Sequence, residues 1–108
     1  MKTPTPMILV DTREQTPLLF ANLPTERRTL PTGDYSVLGF EREFCVERKT
    51  VEDLVQSLTH ERDRFERELV RMRGYSFRRL LVVGGLADVE CHNYRSQANP
   101  KAIIASLT

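Results

Sequence analysis

Asp34-Tyr35-Ser36-Val37-Leu38-Gly39-Phe40-Glu41-Arg42-Glu43-Phe44-Cys45-Val46-Glu47-Arg48-Lys49 reads as a β-hairpin. Tyr35 to Leu38 and Phe44 to Val46 carry strand-forming residues, and Gly39 to Arg42 supply the turn. With the turn centred on Phe40-Glu41, Asp34 lies opposite Glu47. Side chains alternate along a strand, so Glu47 and Lys49 emerge on one face, about 7 Å apart. Two carboxylates and an ammonium thereby converge from residues distant in sequence. A one-residue slip in register would separate them. Opposed carboxylates repel, and a hard divalent cation relieves that repulsion. Mg²⁺ or Mn²⁺ takes carboxylate oxygens, keeps several waters and accepts a phosphate oxygen. Spacing alone does not decide the matter, since an exposed hairpin with ordinary cross-strand ion pairs has the same pattern.

On the N-terminal side, Met7-Ile8-Leu9-Val10 is a short apolar run that predicts a buried strand ending at Asp11. Pro17, Pro24 and Pro31 mark a loop-rich connection, with at most a short helical or extended piece around Leu18 to Leu23. Beyond the hairpin, Thr50 is a predicted N-cap, with Asp53 three residues later completing an acidic capping box. Leu54, Leu58, Phe65, Leu69 and Met72 then follow a helical face that is interrupted near Glu61-Arg62, predicting one long helix or two abutting ones ending at Gly74. Arg79 to Gly85 is a continuous apolar stretch of the kind buried on both faces of a sheet. Asn99-Pro100 starts a last helix through Leu107, with Asn as cap and Pro in the first turn. That helix meets Thr108 without a stop signal, which predicts that the natural chain continues. The order strand, hairpin, helix, strand, helix predicts an α/β domain with a mixed central sheet flanked by helices.

A length of 108 residues accommodates one hydrophobic core, and 40% apolar with 29% charged residues excludes disorder and membrane-spanning classes. Cys45 and Cys91 give no disulfide framework, so an intracellular reducing compartment is expected. Net charge is only +1, yet seven arginines fall between Arg62 and Arg79. Arg64, Arg67 and Arg71 share one helical stripe, suited to tracking a phosphate backbone. Interleaved Glu61, Asp63, Glu66 and Glu68 equally fit a solvated helix with internal ion pairs. Cys91-His92 has no partner pair for a zinc site, and His60 reads as an exposed polar helix residue close to the arginines.

Three segments in order decide between these readings: Val10-Asp11-Thr12-Arg13-Glu14, Thr32-Gly33-Asp34-Tyr35, and Val46-Glu47-Arg48-Lys49-Thr50-Val51-Glu52-Asp53-Leu54. Together they resemble the nuclease domain of the XPF family, a branch of the restriction-endonuclease-like PD-(D/E)xK nucleases. Ser57 and Arg62 fall where that family has Ser and Arg, so the resemblance spans nearly all of residues 1–108 as a single nuclease domain. It implies a metal-dependent endonuclease that hydrolyses DNA at branches, flaps or junctions and works as a homodimer or a heterodimer with a related domain. It further implies Mg²⁺ (or Mn²⁺) held by Asp34 and Glu47, with Asp11 at the metal directly or through water. Lys49 would be the catalytic lysine and Arg48 a further catalytic-site residue, although regular alternation points Arg48 away from Glu47 unless the strand bulges. Arg13, Glu14 and Asp53 would support the site, and Arg62, Arg64 and Arg67 would contact DNA. Glu61 and Glu66 stand where the family usually has Gly and Gln, and no helix-hairpin-helix module is present. The location expected is cytoplasmic in a bacterial or viral setting and nuclear in a eukaryotic one, with no membrane partner. The competing expectation is a non-catalytic DNA-binding or dimerisation module, but such relatives lose the acidic and lysine positions that this chain keeps.

Overall fold

The computed structural model describes residues 5–107. Its elements run β1 (Ile8–Asp11), β2 (Thr25–Arg28), β3 (Tyr35–Val37), β4 (Phe44–Thr50), α1 (Val51–Leu58), α2 (Arg62–Met72), β5 (Phe77–Val83), α3 (Leu86–Glu90) and α4 (Pro100–Leu107). The strands form one mixed sheet in the order β2-β1-β3-β4-β5, so the fold is α/β as expected. β1 pairs in parallel with β2 and antiparallel with β3, and β3 pairs antiparallel with β4.

Two compact units share these elements. One runs to Glu47 and takes in Arg71–Arg79; the other comprises Arg48–Val70 and the chain from Leu80 onward. In the first, Leu9, Val10, Leu30, Tyr35 and Cys45 are buried. Phe44 and Phe77 stack at 4.4 Å between ring centroids. The second has its own core of Val51, Leu54, Val55, Leu58, Phe65, Val89 and Ile103.

The predicted cap is present. The Asp53 N–H donates to Thr50 Oγ1 at 3.1 Å and the Thr50 N–H donates to Asp53 Oδ2 at 3.4 Å. The helical stretch is two helices, because after Leu58 the Thr59 hydroxyl turns back to donate to Val55 O at 2.7 Å. The Glu61 N–H donates to Gln56 O, which closes the intervening turn. α4 starts as expected, with the Lys101 N–H donating to Asn99 Oδ1 at 2.8 Å.

Three features differ from expectation. β2 lies where a loop was read: Thr25-Glu26-Arg27-Arg28 has no apolar alternation, because this edge strand is exposed along its whole length. β5 is not buried on both faces. It is the last strand in the sheet order, so Leu81 and Val83 remain 40% and 41% exposed while Leu80 and Val82 pack on the helical core. The short α3 follows Gly84-Gly85, and its five residues are too few to show a helical period.

Candidate active site

The register of the three central strands, β1, β3 and β4, sets the site. Pairs between β1 and β3 include Val10 with Tyr35, and the pair between β3 and β4 is Tyr35 with Val46. The assumed hairpin register is therefore met at Tyr35 and Val46. One step further, the Asp11 N–H donates to Asp34 O and the Asp34 N–H donates to Val46 O, both at 2.8 Å. Main-chain hydrogen bonds thus tie three strands together at the level of Asp11 and Asp34, with Glu47 one residue beyond Val46.

Asp34 does not sit squarely across from Glu47. Asp34 and Tyr35 both address the single residue Val46, the arrangement of a β-bulge, which re-aims side chains at a sheet end. Gly33 makes the bulge possible. Its φ is +83°, and a Cβ there would lie 3.1 Å from Val46 O and 3.3 Å from Cys45 Cβ. In β4 the strand runs without interruption from Phe44 to Thr50, so the irregularity lies opposite β4 and not at Arg48. Alternation therefore leaves Arg48, half-buried, on the other side of the strand from its neighbours Glu47 and Lys49.

Asp11 ends β1 with only 2% of its surface exposed. Its Oδ2 accepts from Arg13 Nε at 2.7 Å and from the Arg13 N–H at 3.2 Å. Its Oδ1 accepts from the Leu30 N–H at 2.9 Å and from Arg13 Nη2 at 3.3 Å. Burial pushes the Asp11 carboxyl up, but the Arg13 guanidinium and the two main-chain N–H groups outweigh it and hold the carboxyl below its usual range. Arg13 is pushed up by its hydrogen bond to Asp11 and then by the charges of Asp11, Asp34 and Glu47. One guanidinium therefore senses all three carboxylates.

Glu14 supports this end of the sheet differently. Tyr35 Oη donates to Glu14 Oε2 at 3.1 Å and accepts from the Leu18 N–H at 2.9 Å. Arg27, on the strand that was read as loop, donates to Asp11 O at 3.2 Å and also to Glu14 O. Neither Arg27 nor the Leu30 N–H was foreseen. Arg27 carries no residue-type signal that separates it from a solvated arginine, and a main-chain donor carries none at all. Near Glu47, burial and then the Glu47 charge raise the Cys45 thiol.

In the second unit, the Lys49 ammonium lies 5.0 Å from the centroid of the buried Phe65 ring, a cation–π contact that fixes its direction. Asp53 is exposed and occupied by the α1 cap. Arg62, Arg64 and Arg67 line one cavity of about 320 Å³ with Thr59, His60 and Asp63. Arg62 pairs with Glu66 at 3.1 Å and Arg64 with Glu61 at 3.5 Å, as a solvated helix allows. No ion pair among the described residues involves Arg67.

Among the described residues, no three His, Cys, Asp or Glu groups form a ready-made metal cage. Magnesium does not require one: it is commonly held by one or two carboxylates, with waters and substrate phosphate completing the octahedron. Asp34 and Glu47, both half-buried hard oxygen donors, fit that requirement. Asp11 fits it less well, because four donors already occupy its two oxygens.

No helix among the described residues is long and apolar enough to cross a membrane. Comparison with curated proteins finds no match. The family model of the ERCC4 domain, the XPF-type nuclease domain, matches residues 10–108, and the chain belongs to this family of DNA nuclease domains.

Proposed function

We propose that this chain is a Mg²⁺- or Mn²⁺-dependent endonuclease that hydrolyses phosphodiester bonds in branched, flap or junction DNA. The observation that carries the reading is the alignment of Asp11, Asp34 and Glu47 at one end of three adjacent strands, with Arg13 in the field of all three. Such a concentration of like charge is unfavourable in isolation and persists where a cation or a reacting group uses it.

Asp34 and Glu47 would hold the metal, which when bound polarises the scissile phosphate and acidifies a bound water. Asp11 acts by fixing Arg13. Two hydrogen bonds, from Nε and Nη2, hold the guanidinium so that its charge offsets the neighbouring carboxylates, while the Arg13 and Leu30 N–H groups hold the carboxylate itself. Lys49, two residues beyond Glu47 along β4, orients the attacking water or neutralises charge developing on the phosphate. The Phe65 ring confines the ammonium without neutralising it, which suits that task. Glu14 and Arg27 brace the loop after β1, Asp53 holds the start of α1, and Arg48 is left as a supporting residue.

The test is cleavage of end-labelled flap, fork, four-way and plain duplex DNA with Mg²⁺, Mn²⁺ or EDTA. Metal-dependent cutting of the branched substrates over plain duplex is the expected result. Uniform inactivity with retained DNA binding would replace this reading with that of a non-catalytic DNA-binding module.

A further inference from the structure

A cavity of about 630 Å³ lies between the α1–α2 turn and the loop before α4, and none of the roles above uses it. Gln56, Thr59, His60, Arg95, Ser96 and Gln97 line it. No carboxylate does, whereas the neighbouring cleft of Arg62, Arg64 and Arg67 has Glu61 and Asp63 in its wall. The donors are available. Ser96 Oγ accepts from the Ala98 N–H at 3.1 Å, which leaves its own proton to point elsewhere. The Thr59 hydroxyl, by contrast, is spent on Val55 O.

Arg95 is held at its main chain and loose at its charge. Its N–H donates to Glu52 Oε1 at 2.7 Å, which pins the loop to α1. Its Nε is 3.9 Å from the same oxygen, and the side chain is 95% exposed. An ion pair this long and this exposed contributes little and yields readily to a competing anion. Thr59 and His60 line both clefts, so their turn is a ridge with arginines on either side.

We propose that Arg95, together with His60 and Ser96, forms a phosphate-binding cleft for the DNA backbone, across the Thr59–His60 turn from the α2 arginines. The inference rests on the reading that this chain acts on DNA. A phosphodiester supplies acceptors only; this wall supplies donors, and the nearby Glu52 carboxylate is already engaged by the Arg95 N–H. The ridge then separates two phosphate contacts, one reached by Arg95 and one by Arg67.

The test is the salt dependence of binding to labelled flap DNA in EDTA, for the full chain, Arg95→Gln and Lys101→Gln. Lys101→Gln makes the same charge change on an exposed lysine of α4. The slope of log affinity against log salt should fall by about 0.9 in Arg95→Gln, one phosphate's worth, so the parent's advantage shrinks about 3.5-fold between 50 and 200 mM salt. A parent-like slope in Arg95→Gln, or an equal fall in Lys101→Gln, overturns the cleft while leaving the nuclease reading intact. Absence of DNA binding by the parent overturns both. Glu52→Gln keeps an acceptor for the Arg95 N–H but frees the guanidinium, so it should tighten binding in the parent and have a smaller effect in Arg95→Gln. Weaker binding by Glu52→Gln would reduce Arg95 to a loop-holding residue and refute the proposal.

Discussion

Replacing Gly33 by alanine tests the bulge that positions Asp34, and a second glycine in the same hairpin provides the control. Gly33 has φ +83° and Gly39 has φ +92°, so both are left-handed and both lose about 1–2 kcal/mol on gaining a Cβ. They differ in their surroundings. A Cβ at Gly39 meets nothing within 4 Å, whereas one at Gly33 sits 3.1 Å from the main-chain oxygen of Val46 and 3.3 Å from Cys45 Cβ. Neither neighbour can rotate away, because one is backbone and the other is buried. Overpacking of this kind adds about 1–3 kcal/mol. Gly33→Ala should therefore cost about 2–5 kcal/mol and Gly39→Ala about 1–2 kcal/mol. At about 4–8 °C per kcal/mol for a domain near this size, Gly33→Ala lowers Tm by about 8 °C or more and Gly39→Ala by roughly half that. Thermal melts followed by far-UV circular dichroism read this directly. Function should separate the two further: below both melting points, Gly39→Ala keeps DNA cleavage, while Gly33→Ala loses it because the Asp34–Val46 hydrogen bond is pushed open. Equal Tm shifts, or full cleavage by folded Gly33→Ala, would refute the bulge as the device that sets Asp34.

Other outcomes follow from the same geometry. Asp11 has its folded-state pKa depressed, so its stabilisation is complete above about pH 4, near the unfolded carboxyl value, and is lost as pH falls through the lower folded value. Asp11→Asn should lose about 1–3 kcal/mol at neutral pH, because a buried amide cannot accept from all four donors, and its urea midpoint should fall less steeply in acid than the parent's. Asp53→Ala removes half of the α1 capping box and should cost about 1 kcal/mol in denaturant titrations, with cleavage per folded molecule unchanged; a large activity loss would restore Asp53 to the site. Arg62→Ala or Arg64→Ala should weaken DNA binding and flatten its salt dependence, and unchanged affinity across a salt titration would remove α2 from the interface.

What could be read from the residues was what leaves a pattern in them. The apolar run before Asp11, the Thr50/Asp53 capping pair and the Asn99-Pro100 start each have a residue-type signature, and each element formed where that signature placed it. The hairpin register followed from turn position and was met at Tyr35 and Val46. β2 was illegible because an exposed edge strand is held by its ladder to β1, not by side-chain burial. β5 was misread because a continuous apolar run does not distinguish a central strand from a terminal one with one face on helices. At the site, the four donors on Asp11 were hidden: two are main-chain N–H groups, and one of those, from Leu30, comes from 19 residues away. The half-step shift of Asp34 had only Gly33 to announce it, and a lone glycine before an aspartate is an ordinary turn signal.

The most direct measurement is single-turnover cleavage of the flap substrate in Mg²⁺ by Asp34→Asn and Glu47→Gln beside the parent chain, with DNA affinity measured in parallel. Both substitutions keep side-chain shape and remove one negative charge, so folding and DNA binding should be retained while the cleavage rate falls by about 100-fold or more. If either variant, folded and DNA-bound, cuts at the parent's rate, that residue is not a metal-holding carboxylate; if both do, the active site does not lie at this end of β3 and β4.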